Sequence, residues 1–187
     1  MNRVHRWLCR SARWKKVLEE AILPAVVKDI DLGDNLLEVG PGPGLTTDWL
    51  RRRLPQLTAV EIDAQLARRL ALRMRGANVR VVRGDGAALP FKDHSFSGAV
   101  AFTMFHHVPS VELQNKLFQE VCRVLRPGGV FAGVDSADSW LMRLLHISDT
   151  LVPVDPAALP ARLQSAGFTR ISITTDQKGF RFLAVCP

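Results

Sequence analysis

The chain has 187 residues, enough for one domain with a substantial core. A hydrophobic content of 47% without low-complexity stretches excludes a disordered chain. The formal net charge of +7 and a pI near 10.0 raise a nucleic acid or an anionic membrane as partners, whereas Cys9, Cys122 and Cys186 are too few and too scattered for a disulfide framework or a zinc site.

The chain opens on a basic amphipathic pattern. Arg3, Arg6, Arg10 and Arg13 recur at helical intervals, and Val4, Trp7, Leu8 and Trp14 offer an apolar stripe. A lid helix with a solvated basic face is the favoured reading, and peripheral contact with an anionic membrane is the alternative. Residues 21–27 are apolar but contain Pro24 and are flanked by Glu20 and Lys28, too short a run to span a bilayer. Charged residues and tryptophans ahead of it do not suit a signal peptide, so a cytoplasmic location is expected.

Next comes the most informative stretch, Leu36, Leu37, Glu38 and Val39 followed by Gly40, Pro41, Gly42, Pro43 and Gly44. An apolar run of this kind is a strand buried on both faces, and glycines directly after it permit a sharp turn that a ligand can approach closely. Thr46, Thr47 and Asp48 then open a helix. The spacing is G-x-G-x-G, not G-x-G-x-x-G, and Pro41 and Pro43 lack the N–H donors that a pyrophosphate cradle uses. A ligand without phosphates, with an amino acid end and a nucleoside end, suits the loop better.

A second strand runs from Leu57 into Glu61, Ile62 and Asp63. Glu61 stands about 20 residues beyond Gly40, the spacing at which a neighbouring carboxylate meets ribose hydroxyls. Asp63 reads as the N-cap of the helix starting at Ala64. A third strand, Val79 to Arg83, ends in Gly84, Asp85 and Gly86, which adds another acid to the same rim. The fourth leads to Ala101, Phe102 and Thr103, with Phe105, His106, His107 and Val108 beyond it. Leu113, Leu117, Val121, Val124 and Leu125 then repeat at helical spacing, Arg126, Pro127, Gly128 and Gly129 turn the chain, and Val130 to Val134 forms a fifth strand. Residues 156–166 read as a helix ended by Gly167, and Ile171 to Thr174 and Phe180 to Val185 as a hairpin.

These ordered motifs resemble the class I S-adenosylmethionine-dependent methyltransferases, especially the small type 11 group that includes the ubiquinone and menaquinone enzymes. The resemblance implies an α/β, Rossmann-like, doubly wound and mostly parallel seven-stranded sheet with an antiparallel last strand and helices on both faces. Its cofactor is S-adenosylmethionine, with S-adenosylhomocysteine as product. By the same resemblance Gly40, Pro41, Gly42 and Gly44 wrap the methionine part, and Glu38 holds its amino group directly or through water. Glu61 takes the ribose hydroxyls, Ile62 packs on adenine, and Asp85 accepts from the exocyclic amine, with Gly86 and Ala87 bordering the ring. Phe102 lines the methyl-transfer mouth.

The resemblance leads to a single domain with a lid at 1–31, a cofactor-binding core at 32–135, a variable cap at 136–155 and a terminal helix and hairpin at 156–187. The cap, with Trp140, Leu141, Met142, Leu144, Leu145, His146 and Ile147, is the candidate acceptor pocket or a satellite core. The expected reaction is in-line displacement on a small-molecule acceptor, lipid- or quinone-like among the candidates. His106 and His107 are the candidate bases, packing or helix capping being their alternative role, and His146 is a weaker candidate. No metal-ligand spacing is visible, so no metal is expected.

The loop and acid motifs also resemble the ribosomal RNA adenine dimethylases. That family carries an Asn/Asp-Pro-Pro-Tyr-like element after the fourth strand, where this chain has Ala101, Phe102, Thr103 and Met104 and no tyrosine anywhere. A nucleic acid acceptor is therefore disfavoured, although the charge keeps it as an alternative beside a cofactor-binding protein that acts through its basic N-terminal helix without turnover. Nothing in the sequence bears on the oligomeric state.

Overall fold

A computed structural model describes residues 11–147 and 149–187. The basic stripe through Arg3, Arg6 and Arg10, with Val4, Trp7 and Leu8, lies outside the described residues. Arg13 and Trp14 fall on α1 (Ala12–Val17), which Ser11 caps by accepting from the Trp14 amide at 3.1 Å. A π-helical turn, Leu18–Ile22, joins it to α2 (Leu23–Val27), and Pro24, which has no N–H to donate into the preceding turn, sits just beyond the place where the regular helical bonding is broken.

Seven strands form one sheet in the order β3-β2-β1-β4-β5-β7-β6. They are β1 (Asn35–Val39), β2 (Gln56–Glu61), β3 (Val79–Arg83), β4 (Phe96–Phe102), β5 (Leu125–Ser136), β6 (Thr169–Thr175) and β7 (Gly179–Val185). The first five pair in parallel, and β7 runs antiparallel to both β5 and β6, as the resemblance implies. The intervening helices are α3 (Leu45–Leu50), α4 (Ala64–Arg73), α5 (Val111–Val124), α6 (Trp140–Leu145) and α7 (Leu159–Ser165).

The period of two along a strand divides the core into layers. Leu37, Val39, Ala99 and Ala101 face the layer completed by Leu117, Phe118 and Val121 of α5 and Leu163 of α7. Their neighbours Leu36, Val100 and Phe102 face the other side, under Leu18, Leu23 and Val26 of the amino-terminal helices and Trp49 and Leu50 of α3. Leu70 and Met74 close α4 onto Ala59 of β2.

β5 differs from the sequence reading at both of its ends. The residues Arg126 to Gly129 turn the chain without ending the strand, because β5 already begins at Leu125 and resumes its pairing with β4 at Val130 after a register shift. Gly128 takes φ 79° there, which lets the chain bulge and continue. At its far end β5 runs past Val134 to Asp135 and Ser136.

Because Val39 pairs with Val60 on one side and Ala101 on the other, the loop after β1 opens where the sheet order reverses. Crevices at such switch points, beyond the carboxyl ends of the strands, are where open α/β sheets hold ligands. Among the described residues no helix is long and apolar enough to cross a membrane.

Candidate functional site

The loop after β1 is built from glycines in the left-handed region, with Gly40, Gly42 and Gly44 at φ 68°, 54° and 82°. The Gly40 amide reaches back to the Val60 carbonyl at 2.9 Å, and the Gly44 amide closes the turn on the Pro41 carbonyl at 2.9 Å. The three differ in their surroundings. A Cβ on Gly44 would strike Leu70 and Arg73, and one on Gly40 would press on Met104, whereas one on Gly42 would enter open space. Arg73 bonds Asp48 and donates to the Pro43 carbonyl at 2.8 Å, which ties the loop to α4.

Glu61, 6% exposed at the end of β2, anchors the other side of the turn. Its Oε2 accepts from the Gly42 amide at 2.9 Å and its Oε1 from the Asp63 amide at 2.9 Å. Burial pushes its carboxyl above the ordinary glutamate value, against the effect of those amides. Each oxygen keeps a further lone pair for a ligand hydroxyl. Asp63 caps α4 by accepting from the Gln65 and Leu66 amides at 2.8 and 3.0 Å. At the end of β3, Asp85 accepts from the Ala87 amide at 2.9 Å, which uses one oxygen and leaves the other.

A cavity of about 800 Å³ begins at this rim. Gly40, Pro41, Gly42, Glu61, Ile62, Asp85, Gly86, Ala87 and Phe102 all line it, and at its other end so do His106 and His107. Ser11, Arg13, Trp14, Val17 and Leu18 border it from the amino-terminal helices, and Ser136, Met142, Leu145, Asp149 and Thr150 from the cap. The open space at Gly42, the lone pairs of Glu61 and a volume in the range of ligand sites fit an elongated nucleoside ligand without phosphates.

Glu38 and Gly44 stand behind the wall. The Glu38 carboxylate is 1% exposed and receives the hydroxyls of Thr46 and, at 2.6 Å, of Thr47. Burial raises its pKa to about 7 despite those two bonds. Thr46 does line the cavity, so Glu38 reaches the site through Thr46.

The acceptor end is assembled from distant segments. After β4, Thr103 takes φ 49°, and a short 3-10 turn, Phe105–His107, follows. Phe105 is fully packed, edge-on to Phe118 with centroids 5.4 Å apart, which pins the turn to the core. His106 is 3% exposed. Its Nδ1 meets Asp135 Oδ1 at 2.5 Å, and its amide donates to Asp135 Oδ2 at 3.1 Å. Asp135, 1% exposed, also accepts from the Ser136 amide at 2.7 Å. A proton on Nδ1, held by the carboxylate, leaves the lone pair on Nε2, which has no hydrogen-bond partner among the described residues.

Asp135 is the functional candidate that the sequence reading missed. Its signal was present, since Glu38, Glu61 and Asp85 also stand at or beside strand ends, but ending β5 at Val134 hid it. The cap is tied down through Gln114, which is fully buried and donates to the Phe105 and Val152 carbonyls at 3.1 and 2.8 Å while accepting from Arg162 at 2.7 Å. The Val152 amide donates to the His106 carbonyl at 2.8 Å. His146, beyond α6, comes within 5.0 Å of both the His106 and His107 rings, centroid to centroid.

With this geometry in place, the comparisons with known proteins agree on the class. The methyltransferase domain model of the type 11 group matches residues 37–133. The chain is 33% identical over 116 residues to an uncharacterised methyltransferase of Mycobacterium tuberculosis, covering 62% of this chain and 56% of that one. It is 28% identical over 196 residues to ribosomal RNA small subunit methyltransferase A of Acidithiobacillus ferrooxidans, covering 81% and 70%. A solved structure of a Pyrococcus horikoshii protein superposes with a TM-score of 0.77 at 20% identity over 95% of this chain and 93% of that one. The chain belongs to the type 11 group of class I S-adenosylmethionine-dependent methyltransferases, and S-adenosylmethionine is its cofactor. It spans little more than half the length of the mycobacterial relative.

Proposed function

We propose that the protein moves the methyl group of S-adenosylmethionine to a small-molecule acceptor of lipid- or quinone-like polarity. The observation that carries this reading is one continuous cavity, with the Gly40 to Gly44 loop and Glu61 at one end and His106 on Asp135 at the other. Trp14, Val17, Leu18, Met142 and Leu145 give the cavity an apolar border. Residues 1–31 act as lid, 32–135 as cofactor core, 136–155 as acceptor cap and 156–187 as the closing helix and hairpin.

In this reading Gly40, Pro41 and Gly42 border the methionine part, and Gly44 sets the turn behind them. Glu38 fixes Thr46 against the amino end. Glu61 accepts from the ribose hydroxyls, Ile62 packs on adenine, Asp85 accepts from its amine beside Gly86 and Ala87, and Phe102 borders the transfer mouth. When bound, S-adenosylmethionine supplies a methyl group already activated by its sulfonium. The protein contributes alignment, exclusion of water and, where the acceptor must lose a proton, a base. Nε2 of His106 takes that proton, Asp135 stabilises the imidazolium through Nδ1, and His107 shapes the mouth beside it.

A cytoplasmic setting agrees with Cys122 and Cys186, which are free thiols side by side in the core. The identity with ribosomal RNA methyltransferase A and the positive charge favour an RNA acceptor as the second reading. Against it, two of the three consecutive arginines after α3 are engaged with that helix. Arg51 pairs with Asp48 at 3.3 Å, and Arg53 stacks on Trp49 at 3.6 Å while bonding the Trp49 carbonyl.

The test is S-adenosylhomocysteine release from S-adenosylmethionine with quinols, phenols and small amines in one series and RNA in the other. Release that requires a small molecule supports the proposal. Release with RNA alone, or none with a protein that binds the cofactor, contradicts it in favour of the second reading or of a cofactor-binding protein without turnover.

A further inference from the structure

The sequence offers no metal-ligand spacing, yet the fold gathers three imidazoles at the acceptor end of the cavity. His106, His107 and His146 each place a ring nitrogen within 4.8 Å of the others. The three ring centroids stand 4.3, 5.0 and 5.0 Å apart. Two of the rings are buried to 3% exposure, where clustered imidazoles are held apart from water.

Two of the three have their tautomers set by a second group. His106 has Nδ1 on the Asp135 carboxylate at 2.5 Å, and His146 has Nδ1 on the Met142 carbonyl at 2.7 Å. A proton at Nδ1 leaves the lone pair on Nε2, the form in which imidazole binds a metal, and a carboxylate or carbonyl behind the ring is the usual orienting partner of a metal-bound histidine. Nε2 of His106 is buried without a hydrogen-bond partner among the described residues, an arrangement that costs stability unless something binds it.

We infer that His106, His107 and His146 form a binding site for a divalent transition-metal ion of the zinc class, with its fourth position open to the cavity. Three imidazoles and one open position are a ligand set that such ions accept. Tetrahedral coordination with bonds of about 2.0–2.1 Å needs the nitrogens about 3.3 Å apart. The triad therefore contracts on binding. His106 is the fixed corner, held twice by Asp135, and His146, carried by the short cap helix, is the corner that moves. An acceptor oxygen, nitrogen or sulfur entering from the cavity would meet the open position. The ion takes the same Nε2 that acts as base in the metal-free protein, so the two roles of His106 exclude each other.

The experiment uses untagged full-length protein, stripped with chelator, desalted and titrated with Co2+ alone. The expected result is one equivalent bound, with the intense visible ligand-field bands of a four-coordinate ion, bleached by an equivalent of Zn2+. His146→Ala and, separately, His107→Ala abolish those bands, and Asp135→Asn weakens binding by roughly 10–100-fold. His94→Ala, at an exposed histidine outside the triad, leaves them intact. Far-UV circular dichroism and calorimetry with S-adenosylmethionine on each variant separate a lost metal site from a lost fold. Spectra no different from aqueous Co2+ in the folded protein, or bands that survive both His107→Ala and His146→Ala, would overturn the inference without touching the methyl-transfer reading.

Discussion

The two ends of the cavity are made in opposite ways. The cofactor end is local: Gly40 to Gly44, Glu61 to Asp63 and Asp85 to Ala87 each sit directly after a strand, and their bonds close within the turn or to the adjacent strand. The acceptor end is non-local, since His106 depends on Asp135 of the next strand and on Val152 of the cap, and Gln114 of α5 holds both pieces. A rim of backbone turns holds one ligand, while a wall of borrowed side chains can change its acceptor without disturbing that rim.

The largest effect that would sharpen this contrast is expected at Gly42. Its φ of 54° and the open space before it mean that Gly42→Val both strains the turn and pushes a side chain into the cavity. S-adenosylmethionine affinity should fall at least about 100-fold, roughly 3 kcal/mol, by calorimetry. A variant with near-normal affinity would show that the loop does not carry the cofactor.

Glu38 tests the buried support behind the rim. Its folded pKa, about 7, lies above the ordinary glutamate value, so the folded state retains a proton that the unfolded chain has lost. Stability is therefore greatest below the unfolded pKa, falls as pH rises between those two values and levels off above the folded pKa, by about 3 kcal/mol for this group. Glu38→Gln should flatten that decline in urea melts at pH 5 and 8, Glu61 leaving a smaller slope of the same sign. An unchanged slope would mean that Glu38 is ionised at ordinary carboxylate pH.

At the acceptor end, Gln114→Ala removes a donor from the Phe105 and Val152 carbonyls and one of the acceptors of the Arg162 guanidinium, which keeps Asn115. The expected loss is about 2 kcal/mol in urea unfolding, with faster amide exchange around Val152 and S-adenosylhomocysteine affinity little altered. If cofactor affinity fell with stability, the two ends would not be independent. The smallest effect is expected at Ile62, which is 64% exposed and borders the cavity. Ile62→Ala should weaken cofactor binding by about 1 kcal/mol without lowering the melting temperature, measured by calorimetry and thermal denaturation.

The same contrast explains what was legible in the sequence. Glycines after an apolar run, an acid about 20 residues on and a capping aspartate are contiguous signals whose geometry follows from chain connectivity. The sheet and its antiparallel β7 followed from the resemblance that those signals carry. Asp135 was hidden because β5 is longer than its apolar run, and the bulge at Gly128 keeps Arg126 to Gly129 inside the strand. The histidine triad was hidden because His146 reaches His106 only through the fold of the cap. Cys122 and Cys186 likewise meet at 3.0 Å across the whole carboxyl-terminal third of the chain.

The most direct measurement is calorimetric titration of the wild-type protein and of Glu61→Gln with S-adenosylhomocysteine. The expected result is saturable one-to-one binding by the wild type and a loss of about 2 kcal/mol in the variant, because a neutral amide accepts ribose hydroxyls more weakly than a carboxylate. Equal affinities for the two folded proteins would contradict the placement of the cofactor on the Glu61 rim.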